Sequence, residues 1–327
     1  MNMTQQPSEK KLPILLVVDD QPLNLQIHVH IFSPDHTVWT ASSGAQALAL
    51  CAEQLPDLIL LDVMMPDMDG HEVCRRLKAD ARTQDIPVIF VTVQNESDDE
   101  ATGLQLGAVD FITRPINAAV VRARVQTHLK LREALRQVWE LAFHDPLTEL
   151  PNRRLLNDRL GQAMATSQRN TYFGALLFLD LDNFKPLNDL HGHEVGDVLL
   201  AEVARRLRRC VREVDTVARF GGDEFVVLLT GLAIDEGEAA ERAATVAEKI
   251  RNALAEPYSL TIEQIDAAPM HVQHRCTASI GVALFQGHEA QMTDLIKWAD
   301  AAMYDAKDAG RNIIRFYKPT GPTASLA

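Results

Sequence analysis

The feature that most constrains this chain is the alternation, from Leu12 onwards, of short apolar runs with amphipathic helical stretches such as Ala45–Gln54 and Glu72–Ala79. Five apolar runs alternate in this way: Ile14–Val18, Thr37–Ala41, Leu58–Asp62, Val88–Thr92 and Phe111–Thr113. Continuous apolar runs of this length are typical of parallel strands that are buried on both faces and connected by helices. The pattern predicts an α/β domain with a doubly wound, parallel five-stranded sheet.

Polar and charged side chains stand where these predicted strands end. Asp19 and Asp20 follow the first run, Asp62 ends the third, Thr92 ends the fourth, and Arg114 follows the fifth. Ligands of open α/β sheets bind at the carboxyl ends of the strands. Three carboxylates brought together there repel one another unless a cation such as Mg²⁺ lies among them. Any one of these acids alone is better explained as a solvated strand cap, so the hypothesis of a site depends on their coincidence.

Length and composition limit the classes of protein that this chain can belong to. At roughly 100–200 residues per domain, 327 residues suggest two domains, and the net charge of −13 disfavours a nucleic-acid partner. The cysteines are widely spaced, which favours reduced thiols: Cys51, Cys74, Cys210 and Cys276. The sequence has neither a signal-peptide core nor an apolar run long enough to cross a bilayer. We therefore expect a cytoplasmic protein without a membrane partner.

A long helix is predicted from Asn117 to about Phe143, a segment without Gly or Pro. Along it, a set of mainly apolar side chains recurs at spacings of three or four, at His128, Leu131, Leu135, Val138 and Ala142, with Val121 one heptad before His128. The first half of such a helix packs on its own sheet. The second half extends past that sheet, and pairing with the same helix of a second chain would bury its apolar face. This segment therefore predicts a homodimer.

A second domain begins near Asp145, where the prolines and asparagine of DPLTELPNRR end the long helix. After a helix to about Gln168, the apolar strand Tyr172–Leu181 ends in LDLD, which places Asp180 and Asp182 on one face of an extended chain. Two further short strands, Val217–Phe220 and Phe225–Leu229, are joined by the turn GGDE, residues 221–224. Acids at a hairpin tip are often only a polar turn, but with the LDLD acids they offer a possible two-metal site.

Residues 12–130 resemble a response-regulator receiver domain through the segments VVDDQ, LLDVMMPDMDG, FVT and FITRPI. The resemblance implies that one Mg²⁺ is held by Asp19, Asp20 and Asp62, and that Asp62 is phosphorylated by a partner histidine kinase. It also implies that Thr92 and Phe111 respond to the phosphoryl group. The chain departs from the family pattern at Arg114, where the family has Lys, and at Val93, where it prefers a very small residue.

Residues 144–317 resemble the GGDEF family of diguanylate cyclases. The matching segments occur in family order: DPLTELPNR, FLDLDNFKPLND, HGHEVGDVLL, RFGGDEFVVLL, ASIGVA and ADAAMYDAKDAGRN. The resemblance implies an α+β nucleotidyl-cyclase fold in which two GTP molecules, one on each protomer, condense to cyclic di-GMP with release of two pyrophosphates. Glu149 stands where the opening motif usually has Gly.

The resemblance also implies roles for particular residues. Asp180, the backbone carbonyl of Leu181 and Asp223 would hold metal in a site with two Mg²⁺ ions. Asp223 would also help to deprotonate the 3′-hydroxyl group, and Glu224 would assist the second ion. The remaining substrate contacts would be as follows: guanine at Asn188 and Asp197, the triphosphate at Gly221 and Gly222, and phosphates at Lys307 and Arg311.

Arg212 and Asp215 match the RxxD pattern at which diguanylate cyclases bind their product as a feedback inhibitor. Four characters with two wildcards form a weak pattern in an arginine-rich segment, but its offset from the GGDEF motif fits the family.

Together these expectations describe a two-component response regulator whose cyclase output is controlled by phosphorylation of Asp62 and by dimerisation. The expected divisions are a disordered segment 1–11, a receiver domain 12–130, a helical linker 131–143, a cyclase domain 144–318 and a flexible segment 319–327. One alternative is a nucleotide sensor that keeps the fold without turnover. A DNA-binding output is disfavoured by the acidic charge and by the absence of a helix-turn-helix pattern.

Overall fold

A computed structural model of the chain describes residues 12–93, 103–262, 269–287 and 290–318. The expected disordered and flexible segments, 1–11 and 319–327, lie outside the described residues. The chain divides into two compact units, the first ending at Gln137 and the second beginning at Val138. Within the described ranges, no helix has both the length and the apolar character needed to cross a membrane.

The first unit contains the predicted parallel five-stranded sheet, with strand order β2-β1-β3-β4-β5. Its strands are β1 (Ile14–Val18), β2 (Thr37–Ala41), β3 (Leu58–Asp62), β4 (Val88–Val93) and β5 (Asp110–Arg114). Its helices are α1 (Pro22–Phe32), α2 (Gly44–Glu53), α3 (Gly70–Ala79) and α4 (Ala118–Phe143), the last of which continues into the second unit. The receiver-type fold expected from the sequence is therefore confirmed.

Alternate side chains of β1 point to opposite faces of this sheet. Leu16 belongs to a core cluster with residues of α2 and α3, such as Val73. Leu15 belongs to a second cluster with residues of α1 and α4, such as Phe32 and Val121. Because both faces are covered, the strands are continuously apolar, which is the pattern that the sequence presents.

Helix α4 changes its environment along its length. Val121 and Val125 are fully buried against the first sheet. Farther along the helix, large apolar side chains are exposed: Leu131, Leu135, Val138, Trp139 and Leu141. The apolar face predicted for the second half of this helix is therefore uncovered in the single chain.

The second unit is built on a mixed five-stranded sheet with order β12-β11-β6-β8-β7, and β9 and β10 form a separate antiparallel pair. Its strands are β6 (Gly174–Asp182), β7 (Thr216–Gly221), β8 (Glu224–Leu229), β9 (Tyr258–Ile262), β10 (Met270–His274), β11 (Thr277–Phe285) and β12 (Ile314–Phe316). Its helices are α5 (Arg153–Asn170), α6 (Phe184–His191), α7 (His193–Cys210), α8 (Glu236–Ala255) and α9 (Met292–Asp308).

Strand β6 is central, and its side chains alternate between two cores. Leu177 packs with α7 and α8 on one face, whereas Leu176 packs with α5 and α9 on the other. The strand predicted over residues 172–181 instead begins at Gly174 and ends at Asp182. Phe173 lies before the strand because its backbone pairs with the loop after β8, through hydrogen bonds with Leu232 and Ala233.

The turn that opens the second unit places Glu149 in the left-handed region, with a φ of 55°. Its backbone N–H donates to the carbonyl of Asp145 at 2.8 Å, and its own carbonyl accepts from Arg208 Nη2 at 2.7 Å. These contacts fix the conformation whatever the side chain is. The family's usual glycine at this position therefore has a conformational reason.

We expect Glu149→Gly to raise the free energy of unfolding of the second unit by about 1 kcal/mol, because glycine enters the left-handed region without the steric penalty of a Cβ atom. Calorimetric unfolding measures the change. Glu241→Gly, at an exposed position inside α8, is the control and should lower stability by about 1 kcal/mol. A loss at both positions would contradict the assignment of strain to Glu149.

Candidate functional site

The carboxyl ends of β1 and β3 bring three acids of the first unit together. Because β1 pairs directly with β3, the Asp19, Asp20 and Asp62 side chains meet, and one oxygen of each lies within 4.8 Å of the others. Asp19 and Asp62 are buried. Within the described part of the chain, Asp20 Oδ1 is buried without a hydrogen-bond partner. A set of hard oxygen donors with an unsatisfied buried oxygen suits Mg²⁺.

Arg114, at the end of β5, reaches into this acid cluster. Its Nη2 atom lies 2.5 Å from Asp19 Oδ2 and 3.2 Å from Asp62 Oδ2. Burial raises the pKa of Asp62 to about 6; the Arg114 charge opposes this shift, and the Asp19 charge adds to it. The guanidinium therefore neutralises the cluster only in part.

Thr92 and Phe111 lie on the two strands that follow β3 across the sheet. Thr92 is buried near the end of β4, where its neighbour Val91 pairs in register with Asp62. Phe111 is half-buried on β5, and the Arg124 guanidinium lies 6.0 Å from the centre of its ring. The side chain of Val93, where the family prefers a very small residue, lies outside the described residues.

The second unit also collects acids at one end of a central strand. Asp180, near the end of β6, pairs in register with Glu224 at the start of β8. The Leu181 backbone N–H donates to the carbonyl of Asp223 at 3.3 Å. The tip of the β7–β8 hairpin is thereby fixed beside the end of β6, which brings the two acid pairs of the sequence together.

Mutual repulsion and burial perturb these carboxylates. Burial raises the pKa of Asp180, and the hydrogen bond from Lys307 opposes that shift. Burial also raises the pKa of Glu224, with further increases from Asp180, Asp300 and Asp223. Carboxylates with raised pKa values in a partly buried cluster are suited to hold a divalent cation, which removes their repulsion.

Lys307, near the end of α9, contributes the compensating cation of this cluster. Its Nζ atom lies 2.7 Å from Asp180 Oδ2. Arg311, four residues later, is exposed and has a left-handed backbone with a φ of 63°. The structure thus places Lys307 among the acids and Arg311 at the adjoining surface.

Two acids near this site have roles that the sequence does not reveal. Asp182, the second acid of LDLD, is buried and accepts hydrogen bonds from Thr277 Oγ1 at 2.6 Å and from Ser279 Oγ at 2.7 Å. It therefore braces the sheet. The charge of Asp300 on α9 raises the pKa of Glu224. In the sequence, only its position two helical turns before Lys307 associates Asp300 with this site.

Asn188 on α6 and Asp197 on α7 lie on consecutive helices joined at Gly192. Within the described ranges, Asn188 Oδ1 is buried without a hydrogen-bond partner, while Asp197 is exposed. A Cβ atom on Gly196 would lie 1.9 Å from Asn188 Oδ1, so any larger residue at position 196 would displace that oxygen. An unpaired buried amide oxygen is suited to accept a hydrogen bond from a ligand.

Gly221 and Gly222 form an open loop at the hairpin tip. Both are exposed, and a Cβ atom on either would have no described atom within 4 Å. Gly222 has a φ of 53°, which favours glycine. The loop leaves room for a ligand to approach its backbone.

Arg212 and Asp215 form a pair within the second unit. Asp215 Oδ1 accepts from Arg212 Nη2 at 3.1 Å and from the Thr230 backbone N–H at 3.2 Å. Its Oδ2 accepts from the backbone N–H of Arg212 at 3.1 Å and from Arg212 Nε at 3.2 Å. Asp215 is buried and Arg212 is exposed. The structure therefore makes Asp215 the internal partner that orients Arg212.

Comparison with known proteins agrees with this architecture. Residues 142–313 match the family model described as diguanylate cyclase, GGDEF domain, and residues 15–126 match the response regulator receiver domain. The first match covers more than half of the chain. The protein therefore belongs to the GGDEF diguanylate cyclase family and carries a receiver domain ahead of the GGDEF domain.

Individual relatives share one or both domains. Response regulator PleD of Caulobacter vibrioides is 31% identical over 315 residues, which cover 92% of this chain and 65% of the relative. The bifunctional diguanylate cyclase/cyclic di-GMP phosphodiesterase MucR of Pseudomonas aeruginosa is 47% identical over 188 residues, covering 58% of this chain and 25% of the relative. The chain thus spans between a quarter and about two thirds of these relatives' lengths.

One solved structure resembles the second part of the chain. It is the crystal structure of the coiled coil and GGDEF domain of DgcB from Caulobacter crescentus in complex with c-di-GMP. It is 30% identical, covers 61% of this chain and 97% of its own, and has a TM-score of 0.52.

The raised pKa of Asp62 leads to a stability prediction. Because the folded-state pKa of about 6 exceeds the ordinary aspartate value of 3.8, ionisation of Asp62 opposes folding, and its effect grows as pH rises through this interval. In the absence of divalent cations, Asp62→Asn should raise the melting temperature of the first unit by a few degrees at pH 7 and by less near pH 4.

Calorimetry in a chelating buffer, with the exposed acid Asp85 changed to Asn as control, measures this difference. Added Mg²⁺ should stabilise the unchanged protein more than the Asp62→Asn variant. An equal gain for Asp62→Asn at pH 4 and pH 7 would contradict the assigned pKa shift.

Proposed function

We propose that this protein is a diguanylate cyclase under receiver control, which condenses two GTP molecules to cyclic di-GMP and releases two pyrophosphates. We assign residues 12–130 to the receiver domain, 131–143 to the linker and 144–318 to the cyclase domain. The observation that carries the proposal is the convergence of acids from β6 and from the β7–β8 hairpin with the Lys307 ammonium group at one sheet end. We also propose that it acts in the cytoplasm.

The acids of the second unit provide ligands for two divalent cations per active site. Asp180, the Leu181 carbonyl and Asp223 would hold one ion, and Glu224 would assist a second. Bound Mg²⁺ would neutralise phosphate charge and polarise the phosphate that is attacked. Asp223 helps to take the proton of the attacking 3′-hydroxyl group. Lys307 already carries its positive charge at this cluster, so it can contact a phosphate with little rearrangement.

Selection of guanine is assigned to Asn188 and Asp197. Guanine presents N1 and N2 hydrogen-bond donors that adenine lacks at the same edge. The buried, unpaired Oδ1 of Asn188 within the described ranges, together with the exposed carboxylate of Asp197, provides acceptors for such donors. A site that hydrogen-bonds a substrate group discriminates strongly against analogues that lack it. Gly221, Gly222 and Arg311 would complete contacts with the triphosphate.

The reaction requires two nucleotides, and each protomer offers one site. We therefore propose a homodimer that brings two GTP molecules face to face. The uncovered face of α4 supports this proposal, since Leu131, Leu135 and Val138 are 54%, 61% and 63% exposed. Burial of these side chains against a second copy would remove a continuous apolar stripe from water.

Control by phosphorylation is assigned to Asp62, with a histidine kinase as phosphodonor and one Mg²⁺ at the acid cluster. Thr92 and Phe111 would transmit the change from strands β4 and β5. Arg114 stands where the family has lysine, and its contacts with Asp19 and Asp62 keep a positive charge at the acid cluster.

Feedback by cyclic di-GMP is assigned to Arg212. An arginine can bind a phosphate or the O6/N7 edge of guanine with two parallel hydrogen bonds. Because Asp215 is already engaged by Arg212 and Thr230, its contribution is to orient Arg212. Initial-rate measurements with added cyclic di-GMP distinguish binding here from competition at the GTP site.

We expect Asp223→Asn and Glu224→Gln each to reduce turnover by at least about 100-fold, because each removes a charge that faces the proposed cations. Neither variant should lower the melting temperature, since both side chains lie at a partly exposed tip and the raised pKa of Glu224 means that its charge opposes folding. Purified protein is incubated with GTP and Mg²⁺, with and without a small phosphodonor, and nucleotides are separated by chromatography. An intact protein that binds GTP without forming product would support the nucleotide-sensor alternative instead.

Placing charge on the apolar face of α4, by combining Leu135→Glu with Val138→Glu, should weaken self-association and lower specific activity most strongly at low protein concentration. Analytical ultracentrifugation and the same nucleotide assay measure the two effects. Gln137→Glu adds charge to another side of the helix and should leave both near their original values. Full activity in a verified monomer would exclude the dimer requirement.

A further inference from the structure

Arg219, on β7, connects two parts of the second unit through one side chain. Its Nη1 atom lies 3.0 Å from Asp145 Oδ1 and 3.1 Å from Asp145 Oδ2. Its Nε and Nη2 atoms donate to the Gly222 carbonyl at 3.0 and 2.8 Å. The Arg219 and Asp145 side chains are only 14% and 19% exposed. A guanidinium with both edges engaged in this way is held rigidly, because its donors form a planar fork.

One end of this connection is the turn that follows α4. The Asp145 carboxylate also accepts from the Thr148 backbone N–H at 2.9 Å and from Thr148 Oγ1 at 2.7 Å. The backbone N–H of Arg219 donates to the Pro151 carbonyl at 3.0 Å. Burial would raise the pKa of Asp145, but these hydrogen bonds and the Arg219 charge outweigh it and lower the pKa. The turn is therefore a firm anchor for Arg219.

The other end is the open loop that carries Asp223. Neither Gly221 nor Gly222 has a side chain with which to pack, and a Cβ atom added to either would find no described neighbour within 4 Å. Two backbone carbonyls of the loop are nevertheless held, that of Gly222 by Arg219 and that of Asp223 by the Leu181 N–H. Arg219 is thus the side chain that restrains Gly222, the residue immediately before Asp223.

We propose that Arg219 is a positioning residue: it ties the Gly222 carbonyl to the Asp145 turn and so holds the Asp223 carboxylate in its working geometry. This inference rests on the proposed cyclase function. Arg219 would also couple the end of α4 to the loop that carries Asp223. A movement of the helix end would displace Asp145, and Arg219 would transmit that displacement to the Gly222 carbonyl.

A purely structural ion pair and a positioning residue differ in what their removal changes. Loss of a structural pair lowers stability and leaves turnover per folded molecule unchanged. Loss of a positioning contact lets the loop sample other geometries, and small displacements of a reacting group cost large factors in rate. The loop supplies only part of the proposed GTP contacts, since guanine is assigned to Asn188 and Asp197 and a phosphate to Lys307. The value of kcat should therefore fall more than the apparent affinity.

The test compares Arg219→Ala and Arg219→Lys with Arg208→Ala. Arg208 anchors the same turn, since its Nη2 donates to the Glu149 carbonyl at 2.7 Å, but it has no recorded bond to the loop within the described residues. We expect Arg219→Ala to lower kcat by about 10- to 100-fold, with the affinity for a non-reacting GTP analogue changed by less than about threefold. Arg219→Lys should recover part of the rate because it keeps the charge but not the fork. Arg208→Ala should retain near-normal kcat.

Amide hydrogen exchange over residues 220–225 gives a readout that does not require activity. Arg219→Ala should accelerate exchange in this segment, whereas Arg208→Ala should not. An unchanged exchange rate in Arg219→Ala, or an equal loss of kcat in Arg208→Ala, would overturn the positioning role. Absence of product from the unchanged protein would instead refute the proposed cyclase function, while the exchange comparison would still decide whether Arg219 restrains the loop.

Discussion

Repulsion between carboxylates at strand ends is the constraint that governs both sites of this chain. Each sheet brings acids together because neighbouring strands end side by side, and burial strengthens the repulsion by lowering the local dielectric constant. In each unit, one basic side chain from a more distant element compensates part of this negative charge. Arg114 of β5 lies beside Asp19, and Lys307 of α9 lies beside Asp180. The folds therefore hold acidic clusters that are only partly neutralised, which leaves them able to bind further positive charge.

The elements that build these sites were largely predictable from the sequence. Strands β1 and β3 have continuous apolar runs that end in aspartates, and the parallel fold follows from that pattern. The LDLD strand and the GGDE turn likewise mark the two acid-bearing elements. The error at the start of β6 arose because Tyr172 and Phe173 are as apolar as strand residues, while the backbone of Phe173 is taken by the loop after β8.

The side-chain partnerships could not be predicted in the same way, because they join residues far apart in sequence. Asp182 resembles Asp180 in the sequence, yet it accepts hydrogen bonds from Thr277, Ser279 and the backbone N–H of Asn312 and so serves the sheet. The RxxD pattern predicts that Asp215 contacts a ligand, but Asp215 is buried and its carboxylate accepts a hydrogen bond from Arg212. Local periodicity determines which face a side chain occupies; the identity of its partner depends on how distant elements pack.

Arg114 shows what such a partnership implies for switching. Its Nη2 atom serves both Asp19 and Asp62, while its Nε atom is buried and has no hydrogen-bond partner within the described residues. An unsatisfied buried donor is unfavourable, and lysine, whose ammonium group carries all its donors on one atom, would not leave one in this way. Phosphorylation of Asp62 would add oxygen acceptors close to this guanidinium. Under the proposed phosphorylation of Asp62, Arg114 would therefore offer the new oxygens an unsatisfied donor that a lysine would not, while it keeps the positive charge.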